Sequence, residues 1–188
     1  MVMADRPTIV VREAEEHDLA HVLEVLRAAN AEFEAVLPPA FYRAYLANVL
    51  DVRSRLGESQ LFIAEQSTGG GIVGAITLYP DASRQGWGWP SQWAGIRTVA
   101  VEPSARRLGV GRRLTEACIE RAGLLGVPTA CLHTAPFMQA AIRMYETLGF
   151  RRAPEWDGDA GVMVGSPATE TRIPALAHRL DLRARGGA

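Results

Sequence analysis

Hydrophobic residues follow two kinds of pattern along this chain. Where every third or fourth residue is apolar, the pattern predicts amphipathic helices, and where β-branched residues cluster it predicts strands. Helices are predicted over Glu15–Asn30, Phe41–Leu50, Val110–Leu125 and Pro136–Leu148. Strands are predicted over Thr8–Arg12, Gln60–Glu65, Ile72–Tyr79, Ile96–Val101, Thr129–Thr134, Phe150–Glu155 and Ala175–Leu182. The order β-α-α-β-β-β-α-β-α-β-β predicts a single domain over residues 1–188, with residues 1–7 and 183–188 frayed and a flexible glycine-rich tip between the second and third strands.

The stretch that joins the central strand to the third helix has the composition of an anion-binding turn. Arg106-Arg107-Leu108-Gly109-Val110-Gly111-Arg112 follows a β-branched strand and leads into a helix start, where backbone N–H groups lack partners. Cations are unfavourable at such a terminus, so an external anion would offset them. A solvated basic turn is the alternative. No Gly-Lys-Ser/Thr follows, which excludes a Walker-type loop.

Two segments resemble signatures of the GCN5-related N-acetyltransferases, the GNAT superfamily. Arg106-x-x-Gly109-x-Gly111 is similar to the loop with which that family binds the pyrophosphate of acetyl-CoA, and the segment Ala141–Phe150 is similar to its Ala-x-x-Leu-Tyr-x-x-x-Gly-Phe signature. The resemblance implies a mixed α/β (α+β) fold. Its sheet would be mostly antiparallel, with six or seven strands and about four flanking helices.

The resemblance also implies acetyl-CoA (CoA) as cofactor and a set of residues that bind it. The pantetheine arm would pair with the backbone of the central strand, and the diphosphate would accept hydrogen bonds from the loop amides. Met138 stands where the family usually has an asparagine that touches the arm. The implied cofactor residues are Val99, Ala100, Val101, Arg106, Arg107, Leu108, Gly109, Val110, Gly111, Arg112 and Met138.

For catalysis, the resemblance assigns Tyr145 the role of general acid toward the leaving thiolate. Many members carry a glutamate base near the middle of the central strand, but no carboxylate occurs here between Asp81 and Glu102. His133, near the end of the fifth strand, is the best replacement, because an imidazole accepts protons near neutral pH. A histidine that is merely hydrogen-bonded at a strand end, with water as the base, is the alternative.

Two other stretches are candidates for the acceptor site. In the family, the turn between the first two helices borders the acceptor pocket, which here points to Glu32 and Phe33; a solvated connection is the alternative. Trp87, Trp89 and Trp93 lie on the loop before the central strand. They would form an aromatic wall or lid for an acceptor with a flat or apolar part, or else anchor the loop to the fold.

Charge and composition narrow the partners. The 188 residues contain 20 Lys plus Arg and 21 Asp plus Glu, a net charge of −1, so no nucleic-acid partner is expected. No apolar run is long enough to span a membrane and no signal segment is evident, so no membrane partner and a cytoplasmic location are expected. Cys118 and Cys131 are predicted as buried small hydrophobes. Cys and His spacing predicts no metal site, and the oligomeric state stays open, with a homodimer as one option.

These observations predict an acetyl-CoA-dependent N-acetyltransferase. The acceptor would be a primary amine of a small molecule or of a protein N-terminus, acetylated by direct transfer. The alternative from another functional class is a catalytically degenerate acyl-CoA-binding sensor or interaction module. The missing asparagine and glutamate suit that alternative, whereas the retained Tyr145 opposes it.

Overall fold

A computed structural model describes residues 8–67, 71–166 and 172–185. The predicted frayed residues 1–7 and 186–188, and residues 68–70 of the predicted flexible tip, lie outside the described residues. Residues 183–185 were predicted as part of the frayed end, but they form a 3-10 turn that follows the last strand.

The described chain forms one mostly antiparallel sheet with helices on both faces. Its strands are β1 (Ile9–Glu13), β2 (Gln60–Gln66), β3 (Ile72–Tyr79), β4 (Ala94–Val101), β5 (Thr129–Thr134), β6 (Arg151–Arg152), β7 (Gly158–Asp159) and β8 (Pro174–Asp181). Its α-helices are α1 (Leu19–Asn30), α2 (Pro39–Leu50), α3 (Val110–Leu124), α4 (Gln139–Thr147) and α5 (Ala160–Met163). The strand order is β1-β2-β3-β4-β5-β8-β6, and β7 pairs with β8. The predicted fold class is confirmed, with eight strands in place of six or seven.

The sheet is covered on both faces because its central strands are apolar on both. Every residue of β3 except Val73 is buried. The apolar stripe of α1, which includes Val22, Val25 and Leu26, packs on one face, and that of α3, which includes Val110 and Leu114, packs on the other. Both cysteines are buried and free, as predicted. Among the described residues, no helix is long and apolar enough to cross a membrane.

The predicted elements differ from the observed ones mainly in the last third of the chain. The strand predicted over Phe150–Glu155 is reduced to β6, because Pro154 has no N–H and begins a 3-10 turn. The glycine- and aspartate-rich connection contains β7 and α5. The helix predicted from Pro136 begins at Gln139, since Met138 has the non-helical dihedral angles φ −92° and ψ 46°.

Candidate active site

The candidate site lies where the two parallel strands of the sheet separate. β4 and β5 pair only at Ala94–Ala130 and Gly95–Cys131, near the start of β4. Beyond that point each strand keeps its antiparallel neighbour, β3 or β8, but not the other. Backbone groups of β4 that would have paired with β5 therefore face a gap.

A bulge in β4 accompanies this separation. Ala75 pairs with Ala100 and Thr77 with Arg97, so two residues of β4, Thr98 and Val99, stand opposite one residue of β3. Thr98 has a φ of 57°, a value that β-branched residues rarely adopt. Such strain persists only where the surrounding structure holds it, and it is concentrated at functional sites.

The gap opens into a cavity of about 140 Å³ between β4, β5, α1, α2 and α4. Its lining combines polar side chains from α1 and α2 with residues of both separated strands. The lining residues are Asn30, Tyr45, Asn48, Val49, Trp87, Ile96, Arg97, Thr98, Val99, His133, Thr134, Met138, Ala141, Tyr145 and Val164. A second, apolar cavity adjoins it through Tyr45, Trp87 and His133 and extends toward Phe137 and Ala175.

Tyr145 projects from α4 to the cavity and packs edge-on against Phe150, with ring centroids 5.6 Å apart. Its side chain is buried, and burial raises the pKa of its hydroxyl above the usual value near 10. The hydroxyl is therefore protonated at neutral pH and can donate a proton.

His133 lies on β5 among tryptophan rings. Its Nε2 is 2.9 Å from the carbonyl oxygen of Trp156, which can only accept, so the ring carries its proton on Nε2 and donates it there. Nδ1 is then unprotonated, and it is buried without a hydrogen-bond partner among the described residues. Burial, against the Trp89 ring at 4.6 Å, lowers the pKa of His133, so the imidazole is neutral at neutral pH.

The loop before α3 has the backbone geometry of an anion site. Arg107 and Gly109 both have positive φ, 66° and 80°, and no heavy atom lies within 4 Å of where a Cβ on Gly109 would stand. Gly109 is the N-cap of α3 and offers no side-chain cap, and the first turn of α3 contains no acidic residue. The first amides of α3 therefore lack a side-chain acceptor from the cap residue, which fits a diphosphate.

Comparisons with known proteins agree with this geometry. The model of the Acetyltransferase (GNAT) family matches residues 22–150. The chain belongs to the GNAT acetyltransferase family. This membership confirms the predicted resemblance and, with it, acetyl-CoA as the cofactor of this family of enzymes.

Matches to individual curated proteins cover less of this chain than the family model does. The chain is 31% identical over 109 residues to a mycothiol acetyltransferase of Thermomonospora curvata, covering 54% of this chain and 33% of that protein. It is 40% identical over 60 residues to the ribosomal protein bS18-alanine N-acetyltransferase of Escherichia coli, covering 32% of this chain and 40% of that protein. The matches thus span well under half of each curated relative.

Solved structures show the same fold. The crystal structure of the Escherichia coli ribosomal-protein-S18-alanine N-acetyltransferase superposes with a TM-score of 0.64 at 22% identity, covering 93% of this chain and 94% of that one. An N-acetyltransferase from Thermoplasma acidophilum in complex with coenzyme A gives 0.65 at 12% identity, covering 93% of this chain and 99% of that one. At these identities the likeness concerns the fold.

The structure brings some of the predicted GNAT residues together. Val99 and Met138, predicted for the cofactor, share the cavity with Tyr145 and His133, predicted for catalysis, and with Trp87, predicted for the acceptor. Val110, the first residue of α3, is buried against the sheet, and Ala100 is buried among residues of α1 and β3, so these two offer only their main chain.

Other predicted site residues do not line the main cavity and contact other side chains of the protein. Arg106 and Glu32, predicted for the cofactor and the acceptor respectively, form a two-point ion pair with both N–O distances 2.9 Å. Phe33 packs on Phe137 beside the apolar cavity, with centroids 4.9 Å apart. Trp89 is only 2% exposed and stacks on Trp156, beneath the cavity surface.

Three more predicted residues lie away from the cavity lining. Trp93 packs against the same two indole rings and so helps to anchor the loop. Arg112 pairs with Glu116 one turn along α3, at 2.9 Å. Leu108 is 45% exposed at the loop tip.

The sequence analysis did not predict several of the lining residues, and four of these form two hydrogen-bonded pairs. Asn30, at the end of α1, accepts a 2.6 Å hydrogen bond from the Tyr45 hydroxyl of α2 and donates to the Leu26 carbonyl at 2.7 Å. Asn48 and Arg97 bond to each other across the cavity. Arg97 gave a signal that could have found it, because a charge in the middle of an otherwise apolar central strand is rare without a purpose.

Metal chemistry has no visible site in the described ranges. Between residues 8 and 185, leaving out the two internal gaps, no three His, Cys, Asp or Glu side chains stand close enough together to hold a metal ion.

Proposed function

We propose that this chain transfers an acetyl group from acetyl-CoA to a primary amine of a small molecule or of a protein N-terminus, by direct transfer. One observation carries the proposal. Val99 and Tyr145, expected on the donor side, and His133 and Trp87, expected on the acceptor side, are far apart in sequence and line one cavity. A cavity that collects both sets is what a direct transfer between two bound substrates requires.

The donor side fits acetyl-CoA. Unpaired backbone of β4 would bind its pantetheine arm, and the Gly109 loop with the first amides of α3 would bind its diphosphate. Bound there, acetyl-CoA supplies an activated thioester. Bulky side chains are absent at Gly109 and Gly111, where a close ligand needs the backbone bare.

Tyr145 is proposed as the general acid. Its hydroxyl stays protonated at neutral pH because burial raises its pKa. Positioned on α4 at the cavity surface, it can give its proton to the departing sulfur. The edge-on contact with Phe150 fixes the ring and so orients the hydroxyl.

His133 is proposed as the general base. The hydrogen bond from Nε2 to the Trp156 carbonyl fixes the tautomer, so Nδ1 is the atom that takes the proton of the amine. Because burial lowers the pKa of His133, the imidazole is in the basic form at neutral pH, and the same shift makes it a weaker base. Ordered water, as an alternative base, would need no such residue.

The acceptor class follows from the two curated relatives only in outline. Their names specify mycothiol for one and an alanine of ribosomal protein bS18 for the other. Trp87, Tyr45 and the adjoining apolar cavity support an acceptor that has an apolar part. The cytoplasmic location and the homodimer stay predictions.

Acetyl-CoA binding and thiol release test the proposal together. Calorimetry should show acetyl-CoA binding, and release of the CoA thiol should depend on an added amine from a library of amino acids, polyamines and short peptides. Binding without thiol release for any amine would favour the sensor alternative, which the absence of a carboxylate on β4 supports. Absence of binding would refute both.

A further inference from the structure

We propose that the acceptor carries an oxyanion group, a carboxylate in the first instance, and that Arg97 binds it inside the cavity. Arg97 would thereby decide which amines are acetylated. This inference rests on the proposed acetyl transfer and adds the chemical class of the acceptor to it.

The position of Arg97 is the first step. It precedes the bulge residue Thr98 on β4 and lines the cavity beside it, so a group held by its guanidinium lies next to the separated strands. Its Cζ stands 4.1 Å from the centre of the Trp87 ring, and its Nη2 donates to Asn48 Oδ1. The side chain is thus held in place from two sides.

The charge around Arg97 is the second step. Among the described residues that line the cavity, Arg97 is the single permanently charged one, because His133 is neutral and the rest are uncharged. Burial and repulsion from Arg55 lower the pKa of Arg97 to about 10, which still leaves it a cation at pH 7. Asp51 provides a weaker attraction but no ion pair.

Other arginines of the described chain show that this environment is unusual. Eight of them, on the surface or at its edge, form ion pairs with carboxylates: Arg12, Arg53, Arg84, Arg106, Arg112, Arg152, Arg172 and Arg179. Arg97 is more enclosed than these and, like its buried neighbour Arg55, it has no carboxylate partner in the ranges described. Burying an unpaired cation is costly, and an anion brought by a ligand would offset the cost.

The third step concerns the N–H groups of Arg97 that remain free to donate hydrogen bonds. Asn48 bridges two cations: its backbone carbonyl accepts from Arg55 and its side chain from Arg97. A guanidinium has five N–H donors, and the hydrogen bond of Arg97 to Asn48 leaves others available. Free donors of one guanidinium are arranged to bind the two oxygens of a carboxylate at once.

The adjoining cavity suggests the probes. Its apolar lining would take a side chain such as a benzyl group, next to a carboxylate on Arg97. The test therefore uses a panel of candidate acceptors. Each amino acid in it, phenylalanine and leucine among them, is compared with its amide and with the matching decarboxylated amine. A second arm compares phosphoethanolamine with ethanolamine, which separates a phosphate from a carboxylate as the oxyanion.

The decisive variant is Arg97→Gln, which keeps most of the side chain and removes the charge. For wild type we expect kcat/KM to be about 10- to 100-fold higher for the anionic member of at least one pair, the usual worth of a charge-assisted hydrogen bond. Arg97→Gln should erase that ratio, and Arg97→Lys should restore part of it. Arg53→Gln, which breaks a surface ion pair with Glu16, is the matched control and should keep the wild-type ratio.

Binding is measured separately from turnover. Calorimetric titration with the same probes measures their binding, and thermal melts confirm that each variant folds. Equal rates for both members of every pair in wild type, or an unchanged ratio in Arg97→Gln, would overturn the inference while leaving acetyl transfer intact. Failure of acetyl-CoA to bind would instead refute the proposed function.

Discussion

The proposed donor and acceptor sides of the site differ in the chemical groups that form them. The donor side consists of backbone: the unpaired edge of β4, and the loop from Arg107 to Gly111 with its positive φ values. The acceptor side consists of side chains, among them Tyr45, Arg97 and His133. A backbone site tolerates many sequences as long as glycines stand where they must, whereas a side-chain site changes its ligand with each substitution. We therefore expect substitutions on the two sides to have separable effects.

The largest effect should come from Tyr145, which lies between the two sides. Tyr145→Phe keeps the ring against Phe150 and deletes only the donor, so turnover should fall by roughly 10²–10⁴, nearer the lower end since a thiolate can leave unprotonated. Acetyl-CoA affinity should not change. Steady-state kinetics and calorimetry measure the two, and Tyr42→Phe, another buried tyrosine, controls for packing. Wild-type turnover in Tyr145→Phe would show that the acid lies elsewhere.

His133 should produce a smaller loss with a distinct pH dependence. Burial lowers its pKa, so kcat/KM should rise with pH through an ionisation below 6.5, as the imidazole loses its proton. His133→Gln should remove that limb and cost about 10- to 100-fold at neutral pH.

One control is needed for the pH profile. His178, fully buried on β8, also has a pKa lowered by burial, so acid should destabilise the fold as buried imidazoles take up protons below 6.5. His178→Gln, measured on one acceptor together with melts at each pH, separates stability from catalysis. A limb that persists in His133→Gln would favour water as the base.

Glycine substitutions test the donor side. Gly109→Ala should weaken acetyl-CoA binding about tenfold, because a methyl group would stand where the ligand approaches the backbone. Gly126→Ala is the matched control: its φ is 72° against 80° for Gly109, and neither added Cβ meets an atom within 4 Å. Both changes should cost about 1–2 kcal/mol of stability through backbone strain. Equal affinities in the two variants would refute the loop assignment.

The tryptophans test how far the acceptor side extends. Trp87 lines both cavities and carries Arg97 on its ring, so Trp87→Ala should raise the acceptor KM about fivefold, the scale of a lost cation–π contact, and leave the acetyl-CoA KM unchanged. Trp93→Ala should alter neither KM, because that ring packs against other indoles. The same rise in both variants would mean that the whole loop shapes the pocket.

The smallest effect is expected from Arg106. Its guanidinium donates hydrogen bonds to Glu32 and to the Ala29 carbonyl, which lie at the end of α1 and in the turn that follows it. Arg106→Gln should therefore change acetyl-CoA affinity less than threefold and stability by at most about 1 kcal/mol, as for other partly exposed ion pairs. Calorimetry measures the acetyl-CoA affinity of this variant and of Glu32→Gln, which loses the same ion pair. A tenfold affinity loss confined to Arg106→Gln would show that the Arg106 side chain contacts the cofactor.

Sequence alone determined the order of the elements other than β7 and α5, the glycine-bearing loop before α3 and the family. Periodic apolar residues commit α1 and α3 to their faces of the sheet, and the glycines at 109 and 111 mark a turn that needs bare backbone. Such signals are local, since each depends on a residue and its near neighbours in the chain. The shortened β6 shows the limit of this kind of reasoning: a strand was predicted over Phe150–Glu155, but Pro154 begins a 3-10 turn there.

Tertiary structure alone decided which side chains line the proposed acceptor cavity. The bulge at Thr98 has no glycine to announce it, and the pairing of Arg106 with Glu32 joins residues 74 positions apart. Trp87 and Trp89 look alike in sequence, yet one lines the cavity and the other is buried beneath it. The charge of Arg97 is visible in the sequence, but the absence of a carboxylate around it depends on how α2 packs against β4. These features depend on distances between elements, which local periodicity does not encode.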